Sequence, residues 1–141
     1  MATNFSPSAN SGLDPDSFRN SYYYFIDAVR TLAADAETQC ERMGDFNVAW
    51  ELKDDVGAGK YLIGRNFLGS RQEQAVRTLV DSLESIPPSV LFGGQGREIN
   101  FSAMQDPCWI ELRANASQFL REFEAFIENN DAALASPKNA L

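Results

Sequence analysis

Apolar residues recur along the chain at the three- and four-residue spacing of amphipathic helices. The first such stripe follows Asp14-Pro15-Asp16-Ser17, a segment with the short polar side chains and the proline of a helix start. The stripe predicts one long helix over 18–43 that ends at Gly44. Its predicted core face holds Tyr22, Phe25, Ile26, Val29, Leu32, Ala33, Ala36, Cys40 and Met43.

Two more stripes predict helices in the second half of the chain. Ser70 followed by Glu73 has the pattern of a capping box, and helical spacing continues from there to Pro87-Pro88. Asp106-Pro107 opens the last predicted helix. The core face of that helix is predicted to hold Trp109, Leu112, Ala116, Phe119, Leu120, Phe123 and Ile127.

Two segments between the stripes are harder to assign. Residues 46–53 alternate apolar and polar side chains as a half-buried strand does, within a stretch 46–63 that fits helix or strand. We predict a helix, because Ala49, Glu51 and Leu52 are helix formers and no second strand is evident to pair with it. Residues 89–105 hold Gly93, Gly94 and Gly96, which predict a long loop with a short extended piece at 99–101.

These elements predict an all-α fold, a small bundle of three or four amphipathic helices with a long loop before the last helix. The chain of 141 residues has the size of one domain. We expect a disordered N-terminal tail over 1–13, a single helical domain over 14–131 and a frayed C-terminal tail over 132–141, because the two ends have little to bury.

The composition excludes the simplest catalytic and metal-binding chemistries. The chain has no histidine, the side chain best suited to proton transfer near neutral pH and the commonest metal ligand. Cys40 and Cys108 have no histidine to activate them, and we expect both to be reduced and packed as small apolar groups. We therefore predict no catalytic residue, no metal site and no cofactor.

One segment comes close to a phosphate-binding loop. Gly57-Ala58-Gly59-Lys60 matches the tail of the G-x-x-x-x-G-K-[ST] pattern, but Asp54 occupies the leading glycine position and Tyr61 replaces the hydroxyl residue that holds magnesium. We interpret the segment as a helix terminus followed by a turn.

Acidic residues are concentrated in two parts of the chain. The formal net charge is -8, and residues 27–55 carry eight acidic against three basic residues, while 106–131 carry six against two. This charge disfavours nucleic acid and anionic membrane surfaces and favours a basic protein as partner. With no apolar run long enough to cross a bilayer, we expect the protein to be cytoplasmic and not bound to a membrane.

Aromatic residues share the polar side of the first helix with these acids, a mixture that suits a cationic partner. The predicted partner-binding residues are Tyr23, Tyr24, Asp27, Glu41, Trp50, Asp54 and Asp55. Arg113 lies at the edge of the last apolar stripe, where we expect it to extend toward solvent or pair with a carboxylate.

The leading hypothesis is a non-enzymatic acidic binding module that engages a basic protein and blocks its active site. Small acidic immunity proteins that neutralise bacterial toxins are similar in size and charge, without a shared motif. The alternative is a structural or adaptor subunit whose contact is apolar, and an enzyme working through Asp, Glu, Tyr or Cys is a third hypothesis. The oligomeric state is left open.

Overall fold

A computed structural model describes the backbone of residues 15–135 and the side chains of residues 15–123. Regular structure in this part of the chain is entirely helical, which confirms the all-α class. The seven α-helices are α1 Pro15–Leu32, α2 Ala36–Met43, α3 Val48–Gly57, α4 Ser70–Ser82, α5 Pro88–Leu91, α6 Arg97–Met104 and α7 Cys108–Ala135. Two short 3₁₀-helices, Ala58–Leu62 and Leu83–Ser85, extend α3 and α4. The predicted count of three or four helices is therefore too low.

Helix α1 is the element around which the others are arranged. It packs against α3, α7, α2 and the 3₁₀-helix Ala58–Leu62. Helix α4 lies against α7 and the same 3₁₀-helix, while α6 covers the ends of α2 and α3. The apolar stripes of α1 and α7 supply much of the core, which includes Phe18, Tyr22, Phe25, Ile26, Val29, Leu32, Trp109, Leu112, Ala116, Phe119 and Phe123.

The predicted helix over 18–43 is wrong in one respect, because it breaks after Leu32. Asp35 takes an extended conformation and its side chain accepts a hydrogen bond from the Thr38 N–H at 2.9 Å, which starts α2. The fully buried Gln39 donates to the Leu32 carbonyl at 3.0 Å and so satisfies the end of α1. Helix α2 then ends at Gly44, as predicted, with a positive φ of 78°.

The predicted long loop over 89–105 is also wrong, because it contains α5 and α6. The glycines form the turn between them, and Gly94 and Gly96 have positive φ. The predicted extended piece at 99–101 lies inside α6. The side-chain amide of Asn100, only 2% exposed, accepts from the Val48 N–H and donates to the carbonyls of Asp45 and Gly96. The bonds to Val48 and Asp45 are long-range and join α6 to the start of α3.

The predicted capping box at α4 does not form. The N-cap is Gly69, and Ser70 is already helical. The Glu73 carboxylate instead accepts a hydrogen bond from the Gly64 N–H at 2.7 Å, which holds the preceding loop, where Gly64 has a φ of 83°. The helix itself is confirmed, and its 3₁₀ extension ends before Pro87-Pro88.

The remaining helix predictions are confirmed. Residues 48–57 form a helix and not a strand, and the last helix begins at Cys108. Helix α7 continues to Ala135. The predicted tail over 1–13 lies outside the described residues, as do residues 136–141 of the predicted C-terminal tail and the side chain of Ile127.

Candidate functional site

Helix α3 displays two neighbouring carboxylates because its apolar positions face inward. Val48, Leu52 and Val56 are fully buried, at the four-residue spacing of one helical face. Asp54 and Asp55 therefore fall on the outer side of the helix, and both are exposed.

Helix α1 presents an aromatic ring and a carboxylate beside them. Tyr24 and Asp27, three residues apart, follow one another along the outer side of α1, where Tyr24 is 79% exposed. Because α1 packs on α3, these side chains lie along the same depression as Asp54 and Asp55. The two helices thus bring four of the predicted site residues together.

A fifth wall residue comes from the 3₁₀-helix Ala58–Leu62. A Cβ atom placed on the buried Gly59 would lie within 3.0 Å of three ring atoms of Phe25, so only glycine allows this backbone to approach α1. The close approach brings Tyr61, 63% exposed, into the same depression as Tyr24. Tyr61 is not among the residues predicted from the sequence to form the site. Gly59, two positions before it, is the signal in the sequence that could have indicated it.

We call this depression the acidic groove. It has a volume of about 510 Å³, within the range of ligand-binding clefts. Its floor is formed by the buried side chains of Phe25, Ala28 and Thr31 together with the half-buried Met43. Its walls carry Tyr24, Asp27, Asp54, Asp55 and Tyr61.

The negative charge of the acidic groove is not neutralised by an ion pair in the described part of the chain. The salt bridges found there join other acids, namely Asp16, Asp45 and Glu84, to their partners. Partial burial and, after it, the neighbouring Asp54 carboxylate raise the pKa of Asp55. A cation does lie at one edge, where Arg42 donates to the hydroxyl of Thr31 at 3.4 Å.

A second depression adjoins the acidic groove and shares Asp54, Ala58 and Tyr61 with it. We call it the mixed groove, because both signs of charge line it. It has a similar volume of about 510 Å³. Its other lining residues include Trp50, which is 45% exposed, Lys53, Lys60 and Glu84. The ammonium group of Lys60 lies 5.2 Å from the centre of the Tyr61 ring, within the range of a cation–π contact.

The structure does not gather all predicted site residues in one place. Trp50 lines the mixed groove, whereas Tyr23 and Glu41 line neither groove. Tyr23 is 40% exposed and its ring meets the Tyr22 ring edge to face at 5.6 Å. Glu41 is exposed on α2. The break after Leu32 puts Glu41 on a separate helix from Tyr24 and Asp27. Tyr23 is on α1 with them, but it is one residue before Tyr24 and so lies about 100° away around the helix.

Both cysteines lie in surroundings that disfavour the thiolate. Burial, then the nearby Asp45 carboxylate, raises the pKa of the fully buried Cys40. Burial and the adjacent Asp106 raise the pKa of Cys108 to about 12. Since the thiolate is the reactive form, neither residue is poised to act as a nucleophile at neutral pH.

Arg113 forms hydrogen bonds within the fold, and its partners are not the predicted carboxylate. Its guanidinium donates to the Gln39 side-chain oxygen at 2.8 Å and to the Met104 carbonyl. The predicted partner, a carboxylate, is replaced by two neutral acceptors, and the side chain is half-buried. Burial lowers the pKa of Arg113. The residue joins α7 to α2 and α6 and lies outside both grooves.

Within residues 15–123, no cluster of three or more His, Cys, Asp or Glu side chains is arranged to hold a metal ion. Of the helices in the described range, none combines the length and apolar character needed to cross a membrane. No protein-family model, curated protein or solved structure matches the chain.

Proposed function

We propose that the protein is a non-enzymatic binding module whose acidic groove receives a cationic side chain of a basic protein partner. The observation that carries the proposal is the juxtaposition of three carboxylates and two exposed tyrosine rings around one groove, without an ion pair to those carboxylates. A module of this kind acts by covering a basic site on its partner, as an inhibitor does.

The chemistry of the groove supports a cationic occupant. Carboxylates accept charge-assisted hydrogen bonds from ammonium and guanidinium groups, and the tyrosine faces add cation–π attraction. Two neighbouring carboxylates also repel one another, which is unfavourable for the protein alone. Burial is the larger cause of the raised pKa of Asp55, and repulsion by Asp54 adds to it. A bound cation removes that repulsion, so part of the binding free energy comes from relief of a cost already present in the free protein.

The test begins with capture of the partner from native lysate and continues with the purified pair. We expect Asp54→Asn/Asp55→Asn to weaken binding at least about tenfold, and the affinity of the wild type to fall as salt rises. A matched control, Asp81→Asn/Glu98→Gln, removes the same charge from exposed positions outside the acidic groove and should change affinity less than about twofold. Equal loss in both variants, or an affinity independent of salt, contradicts the proposal.

A second candidate function is an adaptor subunit with an apolar contact. Several large apolar side chains away from the acidic groove are exposed, among them Phe46 at 58%, Phe92 at 68% and Ile110 at 67%. Exposed apolar surface is typical of subunit contacts when it forms a patch. Sedimentation at several protein concentrations separates the two candidate functions. Self-association that increases with concentration and is abolished by Phe92→Ser favours the adaptor subunit. A monomer at every concentration favours the binding module.

A further inference from the structure

We infer that the acidic groove selects an arginine side chain of the partner over a lysine side chain, and that Tyr61 is the residue that makes this choice. The inference rests on the proposed function and adds the identity of the cation. It is carried by the exposed Tyr61 side chain, which lines both grooves, and by the neighbouring carboxylates of Asp54 and Asp55 in the acidic groove.

Tyr61 contributes to both grooves and already has one cation of this chain near its ring. Tyr61 lines both grooves, whereas Lys60 lines only the mixed groove and lies 5.2 Å from the ring centre. Tyr61 is 63% exposed, so its side chain stays accessible to a cation from outside the chain that enters the acidic groove.

The remaining walls fit a flat, branched cation better than a point charge. A guanidinium group is planar, stacks on aromatic rings and offers several N–H donors to two carboxylates at once. An ammonium group is compact and strongly hydrated, and it gains less from stacking. Tyr24 and Tyr61 supply the rings, and Asp27, Asp54 and Asp55 supply the acceptors. The apolar floor holds the methylene groups of a long side chain.

The contact of Arg42 with Thr31 limits where an incoming cation can bind on the groove floor. A guanidinium of this chain already donates to a hydroxyl on the groove floor, at 3.4 Å. That hydroxyl also donates to the Asp27 carbonyl at 3.2 Å, so it is already engaged within the chain. An incoming arginine is therefore expected to use the apolar middle of the floor and the carboxylates along the walls.

The experiment uses the full chain labelled with ¹⁵N and three short capped peptides of glycine and serine that carry two arginines, two lysines or two citrullines. Citrulline keeps the shape of arginine without its charge. We expect the arginine peptide to shift the backbone amide signals of Asp54, Asp55 and Tyr61 and to bind at least about fivefold more tightly than the lysine peptide, a difference of about 1 kcal/mol. The citrulline peptide should bind more weakly than either.

Variants of Tyr61 test the selecting role. Tyr61→Leu should reduce the preference for arginine to less than about twofold, and Tyr61→Phe should retain it because the ring face is kept. Phe92→Leu, at an exposed site outside both grooves, should leave the preference unchanged.

The outcomes separate the inference from the proposed function. If the arginine and lysine peptides bind the groove equally well, or if Tyr61→Leu keeps the preference, the inference is wrong while a cation-binding groove stands. If neither peptide shifts the groove signals at millimolar concentration, or if the citrulline peptide binds as well as the arginine peptide, both are wrong.

Discussion

Replacing Asn100 by aspartate should destabilise the protein by an amount that grows as pH rises. The side-chain amide of Asn100 is buried between α6 and the loop before α3. Its Nδ2 donates to the carbonyl oxygens of Gly96 at 2.8 Å, Asp45 at 2.9 Å and Phe46 at 3.3 Å, and its Oδ1 accepts from the Val48 N–H at 2.8 Å. Aspartate has nearly the same shape, so the substitution changes the donors without opening a cavity.

The size of the stability loss depends on the hydrogen bonds that the new carboxyl group can form with the three carbonyl oxygens around it. If it is protonated, its single O–H replaces two short N–H bonds, a loss of about 1 kcal/mol. If it is ionised, it faces carbonyl oxygens without a donor, so the folded state raises its pKa above the ordinary value of about 3.9. Keeping it protonated costs about 1.4 kcal/mol for each pH unit above that value. With this cost added to the lost hydrogen bond, we expect a loss of about 2.5 kcal/mol near pH 5 and about 5 kcal/mol near pH 7 while the buried carboxyl group stays protonated.

The sign of the pH dependence is fixed by proton linkage. Between the unfolded and folded pKa values of the new carboxyl group, the folded state binds a proton that the unfolded state does not. The stability of the variant relative to wild type is therefore greatest below the unfolded pKa and is lost as pH rises toward the raised folded pKa.

Urea unfolding followed by circular dichroism, at both pH values, measures this difference. Asn20→Asp is the control, because Asn20 is exposed on α1 and the same chemical change there should alter stability by less than about 0.5 kcal/mol at either pH. A loss for Asn100→Asp that is the same at both pH values, or below about 1 kcal/mol at both, would refute the view that this amide is a buried donor.

Three further outcomes follow from the packing and charge around the grooves. Gly59→Ala should destabilise the protein by about 1–3 kcal/mol, because the new Cβ atom would overlap the Phe25 ring. Gly57→Ala should stabilise it by about 0.5–1 kcal/mol, because Gly57 has helical backbone angles and its Cβ atom would lie 3.9 Å from the Leu83 side chain. Equal urea midpoints for the two variants would contradict this expectation. Asp55→Asn should raise the melting temperature at neutral pH, because burial and the neighbouring Asp54 make the ionised Asp55 carboxylate unfavourable in the folded state. The gain should vanish as pH falls through the raised pKa of Asp55. A lower melting temperature of the variant at neutral pH would contradict this reasoning. Cys108 should be alkylated by iodoacetamide, as read by mass, on the order of a thousandfold more slowly in the folded protein than in urea, because its pKa is raised to about 12. Cys40, whose pKa is also raised, should likewise react more slowly in the folded protein, and comparable rates in the two states would show a reactive thiol.

The comparison of pattern and structure is clearest at the helix ends. Gly44 could be identified in advance as a stop, because a positive φ there suits glycine and the apolar spacing ends with it. The break after Leu32 could not be identified in advance, because the apolar residues continue at helical spacing through Ala36 and Cys40. It depends on Gln39, whose amide bonds the Leu32 carbonyl. Helix α6 was missed for a similar reason, because Asn100 stabilises it through contacts more than fifty residues away in the chain.

The sequence by itself determined the helical class, the inward faces of α1, α3 and α7, and which side chains are forced outward, because these depend on local spacing. Tyr24, Asp27, Asp54 and Asp55 could be selected on that basis. Only the tertiary structure decided that they share one groove, that Tyr61 joins them and that Tyr23 and Glu41 do not. The physical reason is that helix direction is set by contacts distant in sequence, among them the packing of Gly59 on Phe25, and such contacts leave no periodic signal.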